Sequence, residues 1–208
     1  MKSIKKYLRE SQEIISRLSV KDIRKSLDLL VRVRKLGGRI FCLGVGGSAA
    51  NASHAVNDFR KLCGIEAYAP TDNAAELTAR INDQGWEHSY RDWLEASRLK
   101  KSDLILVFSV GGGDDEKKIS VNLVESLKYA QKIGSKIVGV VSDRGGYTGR
   151  VADACVRISA SGSSSVTAHT EALQALMLHL WVSHPKLQMK TMTWESILAP
   201  KRKKLRSR

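Results

Sequence analysis

A histidine and an aspartate stand four residues apart in the segment after a glycine-rich turn. Residues at i and i+4 of a helix project from one face, so His54 and Asp58 can act on the same ligand. A carboxylate beside an imidazole can move protons or bind a divalent metal. The pair also suits an ion pair at a helix surface or a subunit interface, because structural pairs cluster in clefts too. The spacing leaves these roles open.

The glycine-rich turn before this pair has the composition of an anion cradle. Apolar residues 40–43 predict a buried strand, and Gly46, Gly47 and Ser48 lie where a helix begins. Glycines let backbone N–H groups approach a phosphate, the helix dipole favours negative charge, and a serine adds a hydroxyl donor. The spacing is neither that of a dinucleotide fingerprint nor that of a Walker loop. The turn predicts a phosphate site; the alternative is a tight turn without a ligand.

A second glycine loop follows another apolar run, residues 103–108. Backbone amides of consecutive glycines can bind phosphate oxygens, and nearby hydroxyl and amide side chains can add donors. The candidate donors are Ser109, Gly111, Gly112, Gly113, Ser120 and Asn122. A further turn at Asn82 and Asp83 is expected at the rim of the site, where these side chains could bind hydroxyl groups.

The elements that position these residues follow from the apolar pattern. Strands are predicted at 39–43, 66–69, 103–108, 136–141 and 154–158. Helices are predicted at 3–36 with a break near Ser19, and at 48–62, 74–81, 86–94, 121–134 and 166–183. Continuous apolar strands alternating with helices indicate a doubly wound, mostly parallel α/β sheet. Both glycine loops then lie at the carboxyl ends of strands, where such sheets bind ligands.

The chain divides into three segments. Residues 1–36 predict an N-terminal helical hairpin, 37–185 one α/β domain with a closing helix, and 186–208 a basic tail. The last eight residues carry six of the positive charges behind the net charge of +14. Such a tail can bind nucleic acid, but it is more often a solvated terminus, so we expect no nucleic-acid partner.

The remaining composition points to the cytoplasm. No apolar run approaches the roughly 20 residues of a membrane span, and no apolar h-region follows the charged N-terminus. Cys42, Cys63 and Cys155 have no paired spacing and predict reduced, structural thiols. We therefore expect a cytoplasmic protein without a membrane partner.

Taken together, these motifs resemble sugar isomerase (SIS) domains, and within them the phosphoheptose (sedoheptulose 7-phosphate) isomerase group. The resemblance is carried by residues 44–48 with His54, by 82–86, by the loop from Ser109, by 143–146, and by the final helix with His179. It implies an SIS, flavodoxin-like three-layer fold, a phosphorylated sugar as substrate and a role in heptose biosynthesis. It also implies a homotetramer assembled through the N-terminal hairpin.

The resemblance also implies roles for four residues. In the isomerases the first helix carries a His and, four residues on, a Glu base; the last helix carries a Gln and, eight residues on, a His acid. The matching positions are His54, Asp58, Glu171 and His179, which makes the last three the catalytic candidates. Some members hold zinc with all four positions, so these are the ligands if zinc is bound, although no cofactor is required.

Two departures from the family pattern leave questions open. Asp58 is one methylene shorter than the usual Glu, and Glu171 replaces the usual Gln, so either carboxylate could be the base. His179 could instead be a histidine packed among leucines, and His169 is a competing candidate near the serine-rich linker. The second loop is longer than in the isomerases, and its acidic residues are expected to face outward or to touch sugar hydroxyls; they are Asp114, Asp115 and Glu116.

The expected reaction is aldose–ketose isomerisation of a sugar phosphate, in which a proton moves between adjacent carbons through an enediol. A heptose 7-phosphate formed from sedoheptulose 7-phosphate is the favoured case. The alternatives are a phosphosugar-binding protein without catalysis and a related enzyme acting on another sugar phosphate. The segment before the first strand is too short for the usual DNA-binding module of an SIS regulator.

Overall fold

Five apolar runs form the strands of one sheet in the computed structural model, which describes residues 2–198. The strands are β1 (Ile40–Leu43), β2 (Ala67–Tyr68), β3 (Leu104–Phe108), β4 (Lys136–Ser142) and β5 (Ala154–Ile158). The helices are α1 (Lys2–Ser16), α2 (Val20–Lys35), α3 (Gly47–Cys63), α4 (Ala74–Gln84), α5 (Ser89–Ala96), α6 (Val121–Ile133), α7 (Gly146–Val151), α8 (Val166–Val182) and α9 (Thr193–Leu198). The basic tail was predicted at 186–208, and its part from residue 199 onward lies outside the described residues.

The strands are all parallel and run in the order β2-β1-β3-β4-β5. The chain leaves β1 toward one edge of the sheet and continues from β3 toward the other. The point between β1 and β3 is therefore the switch point at which open α/β sheets bind ligands. Both glycine loops follow these two neighbouring strands, as the sequence predicted.

Helices cover both faces of the sheet and give it three layers. Ile40 and Cys42 face the core shared with α2, α3 and α8, whereas Phe41 and Leu43 face the core shared with α5 and α6. The alternation is the two-residue period of a strand, and each strand is apolar throughout because both of its faces are covered. The predicted fold class is confirmed.

Local signals fix most helix ends. Ser19 begins α2 by accepting a hydrogen bond from Asp22 N, and Asn73 begins α4 by accepting one from Glu76 N. The expected turn at Asn82 and Asp83 is wrong: α4 continues through both residues and ends at Gly85, whose φ of 83° only glycine adopts readily. The short helices α7 and α9 were not predicted.

The two N-terminal helices pack differently. α2 buries Leu27, Leu30 and Val33 against the sheet, whereas α1 leaves Ile4 and Leu8 largely exposed. A stripe of exposed apolar residues on an isolated helix is typical of a surface that another chain covers. The boundaries of the three segments, and an assembly role for residues 1–36, stay predictions.

The three cysteines are buried or half-buried free thiols. Burial raises the pKa of Cys63 to about 12 and that of Cys155 to about 11, and it raises the pKa of Cys42 further. All three therefore stay protonated near neutral pH and are poor nucleophiles or metal ligands. Within residues 2–198, no helix has the length and apolar character needed to cross a membrane.

Candidate active site

The carboxylate of Asp58 lies between two imidazoles. Its Oδ2 atom is 3.3 Å from Nε2 of His54, one turn earlier on α3, and 3.9 Å from Nε2 of His179 on α8. The two imidazole rings are 5.0 Å apart and inclined by 71°. The aspartate side chain is 10% exposed, whereas the histidine side chains are 45% and 51% exposed. The carboxylate thus lies at the buried end of a small site, and the two imidazoles lie at its solvent-exposed end.

This arrangement contradicts one alternative from the sequence. His179 is not packed among its leucine neighbours, because it projects from the exposed side of α8 toward α3. The buried histidine of this helix is His169, which stacks on Tyr7 at 4.3 Å and lies 3.3 Å from Glu10. His169 therefore fastens α1 to α8 and does not contribute to the cluster.

A polar contact that the sequence did not single out holds α8 against α3. Asn51 Nδ2 donates to Glu171 O and to Gln174 Oε1, both at 3.0 Å. Gln174 is fully buried, so the contact fixes how the two helices meet. The spacing alone offered a signal, because Asn51 precedes His54 by nearly one turn on the same helix. Another adjacent donor, Asn57, bonds Asp58 itself.

Glu171 is not part of the cluster. It precedes His179 by eight residues, which is about 12 Å along a helix. Its carboxylate lies against Gly47, where an ideal Cβ on that glycine would be 2.5 Å from Oε2. Both side chains extend from α8 toward α3, but they reach different parts of it: Glu171 lies at Gly47 and His179 at Asp58.

The first glycine turn is tightly built. A Cβ on Gly44 would collide with the backbone of Ser48, and the buried Tyr90 hydroxyl donates to Gly44 O at 2.8 Å. Burial raises the pKa of Tyr90 to about 12, so the hydroxyl stays a donor. Gly46, at φ 63°, precedes α3 without a side-chain cap, and Ser48 is buried. The Glu171 carboxylate thus lies beside Gly47, the first residue of α3.

The second glycine loop is braced from behind by α7. Gly112 O accepts from the backbone and hydroxyl of Thr148, and Gly113 O accepts from Tyr147 N. Ser109 Oγ accepts from Gly112 N at 3.0 Å, which leaves its hydroxyl hydrogen available. Gly111 is exposed, with open space beside it. The loop therefore presents a fixed backbone surface next to the first turn.

The N-terminus of α6 completes this edge of the sheet. Ser120 precedes the helix in a left-handed conformation (φ 48°, ψ 48°) and makes no capping hydrogen bond with its side chain. Asn122 is fully buried, and neither its Nδ2 nor its Oδ1 has a partner among residues 2–198. Because the N-terminus of a helix favours negative charge, this start of α6 is a candidate anion site.

Two acidic residues of the second loop, Asp114 and Asp115, bind groups other than those of the glycine loops and the imidazole cluster. Asp114 Oδ1 accepts from the backbone N–H groups of Lys117 and Glu116, and the Lys117 hydrogen bond lowers the pKa of that carboxyl. Asp115 pairs with Arg150 at 3.3 Å. The expectation that these acids face outward agrees with these contacts.

The side chains of Asn82 and Asp83, expected at the rim of the site, bond to each other. Asn82 Nδ2 donates to Asp83 Oδ1 at 2.8 Å, and the described structure shows no hydrogen bond from either residue to the cluster.

The SIS domain family matches residues 6–142, two thirds of the chain. The chain belongs to the SIS domain family. Its curated relatives include the lincomycin biosynthesis protein LmbN of Streptomyces lincolnensis, 29% identical over 87% of this chain and 68% of that protein. They also include the phosphoheptose isomerase of Syntrophotalea carbinolica, 26% identical over 86% of this chain and 90% of that enzyme.

Solved SIS structures share the architecture. A phosphoheptose isomerase from Francisella tularensis superposes with a TM-score of 0.76 over 87% of this chain and 95% of that structure, at 20% identity. At this identity the likeness establishes the fold alone. The recognition of the SIS fold and of the phosphoheptose isomerase group from the sequence is confirmed.

Proposed function

We propose that this SIS protein is a phosphosugar ketose–aldose isomerase whose favoured substrate is sedoheptulose 7-phosphate. The observation that carries the proposal is the Asp58 carboxylate held between the imidazoles of His54 and His179 at an open site. A protein that only binds phosphosugars needs no carboxylate and imidazole pair facing one point. The phosphoheptose isomerases among the relatives support the choice of reaction.

The proposed chemistry is proton transfer through an enediol. Asp58 Oδ2 takes the proton from the carbon next to the carbonyl, and the electrons of that C–H bond form the enediol double bond. His179 gives a proton to the carbonyl oxygen as the double bond forms. In the second half, Asp58 returns its proton to the former carbonyl carbon, and the hydroxyl proton on the neighbouring oxygen returns to His179. The result is the isomeric aldose.

The cluster also fits zinc. Ligand atoms of His54, Asp58 and His179 all lie within 4.8 Å of one another, and two imidazoles with a carboxylate are a common zinc donor set. These three residues would hold the ion. Glu171 would not, because its carboxylate lies at Gly47. A bound zinc ion would supply Lewis-acid polarisation of the carbonyl.

We place the phosphate at the second loop and the start of α6. The first turn already has the Glu171 carboxylate beside it, which would repel a phosphate. At the start of α6, Ser120 makes no side-chain capping bond and the Asn122 side chain has no hydrogen-bond partner among residues 2–198. The sugar hydroxyls then lie at the first turn, formed by Gly46, Gly47 and Ser48, where the Glu171 carboxylate can accept hydrogen bonds from them. In the second loop, Ser109 and the glycine backbone donate further hydrogen bonds to the phosphate.

A homotetramer is part of the proposal. Exposed Leu176 and Leu180 flank His179 on α8, and Ile4 and Leu8 are exposed on α1. Their burial by neighbouring copies would remove apolar surface from water and narrow the open site. Light scattering of the intact chain measures the assembly directly.

The function is tested by incubating the protein with sedoheptulose 7-phosphate and identifying products by NMR. An aldoheptose 7-phosphate is the expected product. Calorimetric binding of the sugar phosphate without product would favour a sensor. Turnover only with other ketose phosphates, such as fructose 6-phosphate, would keep the reaction and change the substrate.

A further inference from the structure

Asn57 holds one oxygen of the Asp58 carboxylate. Its side-chain Nδ2 donates to Asp58 Oδ1 at 2.9 Å, whereas the other oxygen, Oδ2, faces the two imidazoles. Asn57 is exposed and belongs neither to the imidazole cluster nor to the glycine loops. The two oxygens of this carboxylate are therefore assigned different partners.

We propose that Asn57 is a positioning residue that sets the orientation of Asp58 for the reaction. The inference rests on the proposed function, in which Oδ2 is the oxygen that moves the proton. The terminal torsion of an aspartate is broad and roughly two-fold, so a free carboxylate samples many orientations. A hydrogen bond from an amide to an ionised carboxylate is stronger than one between two neutral groups. Because the carboxylate is planar and rigid, holding Oδ1 also sets the position of Oδ2.

The need for such a donor follows from the short side chain. The aspartate side chain has one torsion fewer than that of a glutamate. If the carboxylate of Asp58 is misoriented, rotation about a further bond cannot bring Oδ2 back to its position. The Oδ2 to His179 distance of 3.9 Å is already longer than a hydrogen bond. A small rotation would take the oxygen away from both imidazoles at once.

Asn57 also lines an open basin of about 780 Å³ beside α3, and this offers a matched control. Ser53 lines the same basin one turn earlier; its hydroxyl donates to Asp72, and within residues 2–198 it makes no hydrogen bond to Asp58. If Asn57 mattered only as part of the basin, the two residues would behave alike.

The test compares Asn57→Ala, Asn57→Asp and Asn57→Gln with Ser53→Ala in the full chain. Loss of a partner that orients a site residue costs roughly 10–100-fold, so we expect kcat to fall about tenfold in Asn57→Ala and Asn57→Asp. KM should stay within about twofold, because substrate binding is not the step affected. Asn57→Gln keeps an amide donor and should recover part of kcat, and Ser53→Ala should match the wild type.

Equal kcat in Asn57→Ala and the wild type would overturn the proposal, as would an equal loss in Ser53→Ala. A fall in the melting temperature that accounts for the lost activity would also overturn it. If the wild type turns over no sugar phosphate, the proposed function fails separately. Calorimetry with Zn²⁺ alone then decides: an affinity weakened about tenfold in Asn57→Ala supports positioning, and an unchanged affinity, or no binding by the wild type, refutes it.

Discussion

The carboxylate of Glu171 occupies the space beside Gly47 that a side chain on that residue would need. An ideal Cβ would lie 2.5 Å from Oε2 and 2.7 Å from Oε1. The contact places a negative charge at the start of α3, where the helix dipole favours it. It also brings α8 against the glycine turn at the start of α3.

A methyl group at position 47 should displace this carboxylate without unfolding the protein. The clash in Gly47→Ala is with the end of a flexible side chain, and Gly47 has no left-handed conformation to strain. We expect a melting temperature within about 3 °C of the wild type, because one helix position changes by about 1 kcal/mol at most. KM for the sugar phosphate should rise severalfold, measured by steady-state kinetics. Gly162→Ala, with open space at its Cβ, is the control and should change neither.

Zinc should stabilise the protein through the imidazole cluster. At a hundredfold excess over Kd, a ligand that binds only the folded state adds about 2.7 kcal/mol, or about 5–10 °C for a chain of this size. We expect this rise in thermal unfolding of the wild type, its reversal by a chelator, and its loss in His179→Ala. His184→Ala, outside the cluster, should keep the rise. An equal rise in His179→Ala would place the metal elsewhere.

Removing the hydroxyl of Ser120 should weaken phosphate binding. A hydrogen bond to a charged group contributes about 1.5–3 kcal/mol, so Ser120→Ala and Ser120→Gly should raise KM about tenfold or more with kcat little changed. Ser120→Gly should be the more stable of the two, because φ is 48° at this position. A fall in kcat at constant KM would instead place Ser120 at the reacting carbons.

The contact of α1 with Ser163 and with His169 of α8, made through Glu10, should weaken at acid pH. The hydrogen bond from Ser163 and that with His169 lower the pKa of Glu10 below its ordinary value. A lowered pKa stabilises the folded state above the ordinary pKa, and that stabilisation is lost as pH falls through the folded value. Ser163→Ala should move the pKa of Glu10 upward, seen by carboxyl ¹³C NMR titration. Ser164→Ala should leave the titration unchanged, and an unmoved curve in Ser163→Ala would contradict the account.

Much of the fold was predictable because its signals are local. Apolar runs gave the five strands, and caps such as Ser19 and Asn73 gave helix starts. The turn predicted at Asn82 was wrong because the flanking helix outweighed the turn preference of Asn and Asp; Gly85, a few residues later, ends the helix.

The site was predictable only in part. The spacing of four gave His54 and Asp58 on one face, but the contact of Asp58 with His179 depends on how α8 packs on α3. The separation of Glu171 from the cluster and the role of His169 depend on contacts between distant segments. No periodicity within one segment encodes such contacts, so they emerge only from the packed structure.

The most direct test of the central claim is solvent exchange at the substrate carbons. Sedoheptulose 7-phosphate is incubated in D₂O with the wild type, Asp58→Asn or Glu171→Gln, and deuterium uptake is followed by NMR. We predict exchange by the wild type, a loss of at least about 100-fold in Asp58→Asn, and no more than about a tenfold loss in Glu171→Gln. Exchange by Asp58→Asn at the wild-type rate, or its abolition in Glu171→Gln alone, would contradict Asp58 as the base.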